Sequence, residues 1–177
     1  MRKTLGIGFI LLLIIPGLIA ISACAKKVNT IEKEPEVDQA AADRQKALEA
    51  ERQKKEAERM FQAAKAQFMA EDIYFKKGSY RLQPEARTVL HRKADFLKKY
   101  PQVSVIIEGH TDESGSRETN IAFGERRAGE VKSFLIREGI QRSRLIEVSY
   151  GKERPVDTAK TEKARAKNRR VHFVIKE

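Results

Sequence analysis

The loop Gly109–Arg117 gathers the side chains of this sequence best able to do chemistry. It runs Gly109-His110-Thr111-Asp112-Glu113-Ser114-Gly115-Ser116-Arg117, so an imidazole, two carboxylates and three hydroxyls lie within nine residues. Nucleophilic catalysis needs a base that a third group orients. Asp112 stands two positions beyond His110 in one short loop, and no further residue there orients the pair. A hydrolase built on His110, Asp112 and Ser114 or Ser116 is therefore not expected. The chain has three His (His91, His110, His172), far apart, and one Cys, Cys24. That leaves no HExxH, no CxxC, no disulfide framework and no Cys-rich zinc set. There is also no P-loop, no GxSxG and no Rossmann glycine signature in the folded part. No catalytic residue, metal or cofactor is expected. What remains is recognition through charge.

The elements that must hold this loop can be read on either side of it. Ile73-Tyr74-Phe75 reads as a short strand. Pro84 opens a helix whose apolar stripe is Val89/Leu90, Ala94 and Leu97, and Tyr100-Pro101 ends it. The run Val103–Ile107 is dense in β-branched residues, as a buried central strand is. After the loop, a helix starts near Asn120, with Ile121, Gly124, Ala128, Val131 and Leu135 on one face. Gly139 supplies its left-handed stop. Leu145–Tyr150 and Val171–Ile175 read as strands, with a short helical piece around 160–168. The predicted fold class is α+β, in the order β-α-β-α-β-(α)-β with a four-stranded mixed sheet, over residues 71–177.

Residues 38–70 contain no Gly or Pro and are rich in Ala, Glu, Lys, Arg and Gln, which favour helix. Their apolar positions keep no heptad, because Lys55 falls where a core residue is needed. A solvated single helix with a sticky C-terminal end is the expected form, a charged stalk. Residues 24–37, charged and containing Pro35, read as a flexible leader.

The chain opens MRKTLGIGFILLLIIPGLIAISAC: two cations, an apolar run Leu5–Ile21, then a small-residue exit. This is a secretory pattern, with residues 1–23 as signal peptide. Ile21-Ser22-Ala23-Cys24 resembles the bacterial lipobox, with Ile21 a mild departure. The resemblance implies cleavage before Cys24, S-diacylglycerol and N-acyl groups on Cys24, and, with Ala25 rather than Asp next, delivery to the outer membrane facing the periplasm. Multiple acyl chains anchor durably where one does so only marginally. The alternative is an apolar segment kept as an uncleaved inner-membrane anchor.

Of 177 residues, 36 are Lys or Arg and 25 Asp or Glu, for a net charge of +11. Residues 71–177 hold 24 of the cations and 16 of the anions, so most of the excess belongs to the C-terminal domain. An anionic partner follows: nucleic acid, anionic lipid or wall polymer. Export from the cytoplasm disfavours nucleic acid.

Four ordered pieces now carry a family resemblance: Gly109–Gly115, Asn120–Ala128 (NIAFGERRA), Val148–Pro155 (VSYGKERP) and Asn168–Val171 (NRRV). They resemble the OmpA-like peptidoglycan-binding domain over roughly 72–176, and NIAFGERRA and SYGKERP are most similar to its peptidoglycan-associated lipoprotein branch. The resemblance implies a non-enzymatic module for the meso-diaminopimelate stem peptide of peptidoglycan, with Asp112 and Arg127 matching the family's key acid and key arginine. It also implies work in the Tol-Pal system in cell division and a TolB-like periplasmic partner. The chemistry agrees, since the side-chain end of meso-diaminopimelate is a zwitterion. Asp112 can accept from its ammonium and Arg127 can hold its carboxylate. Thr111, Asn120 and Arg170 are further candidates, as polar groups at the loop, the helix start and the NRR turn. The alternative family role is a stator-type protein beside a motor or pump. One departure stands out: the family's first strand is normally followed by an acidic residue, and here Phe75 is followed by Lys76-Lys77-Gly78.

Overall fold

The structure, a computed structural model, describes residues 36–176. The expected signal peptide 1–23, the Cys24 lipidation site and the leader as far as Pro35 lie outside the described residues. Helix α1 spans Glu36–Ala70 and begins two residues before the expected 38.

From Asp43 to Met60 the α1 side chains are exposed, and Lys55 pairs with Glu51 at 2.7 Å. The last turns differ. Phe68 is buried in the core, with Phe61, Ala64 and Met69 packed against it. The Phe68 ring meets Phe96 at 4.6 Å and Phe173 at 5.4 Å. The C-terminal end of the expected stalk is thus part of the globular packing.

The remaining elements are β1 (Ile73–Tyr74), α2 (Pro84–Lys99), β2 (Ser104–His110), α3 (Arg117–Arg137), a 3-10 turn (Arg142–Arg144), β3 (Leu145–Gly151), α4 (Glu162–Asn168) and β4 (Arg170–Lys176). They form one four-stranded sheet in the order β1-β4-β2-β3. β4 runs antiparallel to both β1 and β2, whereas β2 and β3 are parallel. The sheet is mixed because α3 carries the chain back along β2 before β3 begins, the crossover that a parallel pair requires.

One sheet face is the core side. Val105 and Ile107 of β2, with Val171 and Phe173 of β4, pack with Leu90, Ala94 and Leu97 of α2 and Ala128, Val131 and Leu135 of α3. Alternation puts Glu108, Arg170 and His172 on the opposite face. β2 runs on to His110, past the expected Ile107, because Glu108 and Gly109 still pair with His172 and Val171. α3 also starts earlier than Asn120. Ser116 caps it, its hydroxyl accepting from the Thr119 N–H at 3.2 Å. Gly139 has φ 92°, the left-handed stop the sequence predicts.

A glycine pair brings α3 down onto β2. A Cβ on Gly109 would sit 2.0 Å from the Gly124 carbonyl oxygen, and one on Gly124 would sit 2.1 Å from Ser149 Oγ. Two residues without side chains let helix and strand touch backbone to backbone. The contact draws the next turn of α3, which bears Arg127, over the end of β2.

Candidate functional site

Four of the five expected site residues line one cavity of about 190 Å³: Thr111, Asp112, Asn120 and Arg127. The loop after β2 supplies the first two and α3 the others. Asn120 acts as a clamp, its amide donating to the Ser114 carbonyl at 2.9 Å and the Ser116 carbonyl at 2.8 Å. Lys152 adds a bond to the Gly115 carbonyl at 2.8 Å, and Arg165 pairs with Glu113 at 2.8 Å. The loop is tied from three sides, as a binding loop on a rigid scaffold should be.

Asp112 is 7% exposed. Its Oδ1 accepts from the Ser114 N–H at 3.0 Å and its Oδ2 from Arg169 Nη1 at 3.1 Å. Burial pulls its carboxyl upward, but the Ser114 N–H and the Arg169 guanidinium outweigh this and hold it below its ordinary value. A carboxylate offers about four lone-pair sites, so two such bonds leave room for a ligand donor.

Arg127 is 2% exposed. Its Nε donates to the Ser79 carbonyl at 3.0 Å and its Nη1 to the His110 carbonyl at 2.8 Å. The guanidinium lies 5.3 Å from the centroid of the Phe75 ring. Burial pushes its pKa down to about 10, a shift the Asp112 carboxylate partly counters, so it remains cationic at neutral pH. With Nε engaged, only the terminal nitrogens can meet a ligand carboxylate. Among the described residues, Asp112 and Arg127 form no ion pair with each other, although both line the cavity.

Thr111 is buried, and its Oγ1 has no hydrogen-bond partner among the described residues. A buried hydroxyl without a partner costs about 1–3 kcal/mol. Here it belongs to a residue lining a cavity, where a bound molecule can supply the missing bond.

Arg170 lies elsewhere. It sits on the far sheet face, its Nε 3.2 Å from Asp72 Oδ2, and it does not line this cavity. Asp72 also holds His172 at 2.7 Å. The residue that reaches Asp112 is its neighbour Arg169, which the sequence reading did not single out. Arg169 caps the end of α4 and also donates to the Phe75 carbonyl at 3.3 Å and to Glu162 at 2.8 Å. The only available signal was the NRR turn itself, which offers two adjacent arginines without saying which one faces the loop.

His110 makes no catalytic pair. It is buried, both ring nitrogens lack hydrogen-bond partners among the described residues, and its Nε2 lies 3.7 Å from a Glu108 carboxylate oxygen. Burial, aided by the nearby Arg170 and His172, lowers its pKa to about 4, so it is neutral.

The turn Lys76-Lys77-Gly78 divides this cavity from a larger one. Lys77 and Gly78 line the first, whereas Lys76 lines the second, of about 620 Å³, together with Tyr74, Val89 and Lys163.

The relatives of the chain agree with this architecture. A 101-residue stretch, 57% of this chain, is 50% identical to 60% of the peptidoglycan-associated lipoprotein of Pseudomonas aeruginosa. The crystal structure of the peptidoglycan-associated lipoprotein from Burkholderia pseudomallei superposes with a TM-score of 0.59 at 36% identity, over 62% of this chain and 93% of that one. The C-terminal domain of Helicobacter pylori MotB matches with a TM-score of 0.57 at 24% identity, over 60% of this chain and 84% of that one, a likeness of fold alone. The chain spans about 60% of the length of the curated relatives it matches. The model of the OmpA family matches residues 74–169, which takes in α2, β2, the Asp112 loop, α3, β3 and α4, and on that match the chain belongs to the OmpA family.

Proposed function

We propose that this protein is a non-enzymatic outer-membrane lipoprotein that tethers the membrane to peptidoglycan by gripping the zwitterionic end of meso-diaminopimelate. The observation that carries the reading is one small cavity holding an Asp112 carboxylate and an Arg127 guanidinium that do not satisfy each other. A ligand ammonium would meet Asp112, a ligand carboxylate would meet the terminal nitrogens of Arg127, and the Thr111 hydroxyl would complete the contact. The names of the relatives, peptidoglycan-associated lipoproteins, support the wall as the target and Cys24 as the anchor. The resemblance of the NIAFGERRA and SYGKERP pieces extends the proposal to a role in the Tol-Pal system during division, with a TolB-like periplasmic protein as partner.

Calorimetry of the full chain in detergent with matched stem peptides tests the site. A lysine stem peptide lacks the side-chain carboxylate, leaving a charged donor unpaired at about 1.5–3 kcal/mol, or roughly a 10- to 150-fold loss of affinity. Arg127→Met should abolish that preference, whereas Asp112→Asn should weaken binding of both peptides. Equal affinity of the wild type for the two peptides would overturn the reading. For the anchor, radiolabelled palmitate should mark the protein, and Cys24→Ser should remove the label.

A further inference from the structure

We propose that Lys77 binds a second carboxylate of the stem peptide, so that this chain selects peptides in which that group is free. The proposal rests on the cavity being the stem-peptide site. Its basis is a charge count at one opening. The cavity is lined by two cations, Lys77 and Arg127, and one anion, Asp112. The diaminopimelate end is a neutral zwitterion that occupies one charge of each sign. Lys77 is then left over.

The other cations around the loop are committed. Lys152 donates to the Gly115 carbonyl, Arg165 to Glu113 and Arg169 to Asp112. Lys77 is exposed and has no ion pair or hydrogen bond among the described residues. Its place on the lip is set by the backbone. The turn closes with the Ser79 N–H donating to the Lys76 carbonyl at 3.1 Å, and Gly78 takes φ 62°. The next residue, Ser79, has its carbonyl held by Arg127 Nε at 3.0 Å. The lip is thereby fastened to the residue proposed to hold the ligand carboxylate.

A wall stem peptide carries two carboxylates close to the diaminopimelate side chain. The preceding glutamate is joined through its side chain, so its α-carboxylate is free unless amidated, and the following alanine ends in another. Either supplies the anion that an uncommitted ammonium at the lip would take up. Lys76 is a built-in control, with the same charge in the same turn but lining the other cavity.

The test is calorimetry of the full chain in detergent with three diaminopimelate peptides: one with both carboxylates free, one with the glutamate α-carboxylate amidated and one with the terminal carboxylate amidated. Wild type should bind one amidated form about two- to fivefold more weakly, the range for a partly exposed ion pair, and which form it is identifies the source. Lys77→Ala should lose that discrimination and Lys77→Glu should invert it, while Lys76→Ala should behave as wild type. Undiminished discrimination in Lys77→Ala, or equal losses in Lys76→Ala and Lys77→Ala, would overturn the proposal in favour of a general basic field. A retained preference for diaminopimelate over lysine without any carboxylate discrimination rejects Lys77 alone. Absence of that preference rejects the site reading and this proposal together.

Discussion

Asp112 is held by Arg169, 57 residues along the chain, with Nη1 and Oδ2 3.1 Å apart. Arg127, fifteen residues along, shares its cavity without pairing with it. The distinction has a physical use. An acid paired with Arg169 stays ionised, and the bonds from Ser114 and Arg169 leave some of its lone-pair sites unused. An Asp112–Arg127 pair would instead have closed the cavity with its own salt bridge.

Removing that support should therefore show in both stability and titration. Arg169→Met strands a buried carboxylate and leaves the Phe75 carbonyl without its donor, which should cost about 2–4 kcal/mol in urea unfolding. The sign of the pH effect follows from the direction of the Asp112 shift. Its folded pKa lies below the ordinary value, so the stabilisation is present above that ordinary value and is lost as pH falls through the folded one. The variant should lose the Arg169 share of this acid sensitivity while the Ser114 N–H share remains, and the Asp112 carboxyl followed by NMR should titrate at a higher pH than in the wild type. An unchanged Asp112 titration would show that Arg169 is not what holds its pKa down.

The glycine contact between β2 and α3 predicts an ordered pair of effects. Gly109→Ala drives its Cβ against backbone, the Gly124 carbonyl at 2.0 Å. Gly124→Ala meets first the end of a rotatable side chain, Ser149 Oγ at 2.1 Å, and then the Gly109 carbonyl at 2.9 Å. Overpacking of this kind costs about 1–3 kcal/mol, and more where backbone must move. Thermal unfolding should rank Gly109→Ala as the more damaging, with a matching loss of affinity for the proposed stem-peptide ligand, whose proposed site includes Arg127 of α3. The reverse ranking would mean that the helix yields more readily than Ser149.

Lys93 of α2 makes the domain sensitive to alkaline pH. It is 1% exposed, lies 4.4 Å and 4.3 Å from the Phe68 and Phe173 ring centroids, and donates to the Phe68 carbonyl. It thus supplies the cation that α1, with no basic residue in its last turn, lacks. Burial lowers its pKa from 10.5 to about 8, against the pull of Glu71 and Asp72. Between those two values the unfolded chain keeps a proton that the folded chain has released, so stability should rise with pH across the window. Relative to Lys93→Met, the wild type should gain about 1–3 kcal/mol between pH 7.5 and 10 in urea unfolding. A constant difference across that range would show that the lysine titrates normally.

Much of this architecture could be read from residue order. The α+β class, the strands around residues 103–107 and 145–150, the Pro84 helix and the stripe Gly124–Ala128–Val131–Leu135 follow from periodicity and turn residues, which are local properties. That Asp112 and Arg127 line one cavity agrees with what the family resemblance of the Gly109–Gly115 and NIAFGERRA pieces implied. The choice between Arg169 and Arg170 was not legible. Adjacent residues at a strand start face opposite ways, and the register of β4 alone decides that Arg170 meets Asp72 while Arg169 turns to the loop. Nor could composition show that Phe68, near the end of a highly charged helix, belongs to the core, or that Lys93 would be buried beside it, since both depend on which surface α1 finds. The orphan hydroxyl of Thr111 and the free lip position of Lys77 are likewise facts of assembly. Local sequence dictates which elements form and which charges they carry, and only their packing decides which of those charges are used up and which remain open to a ligand.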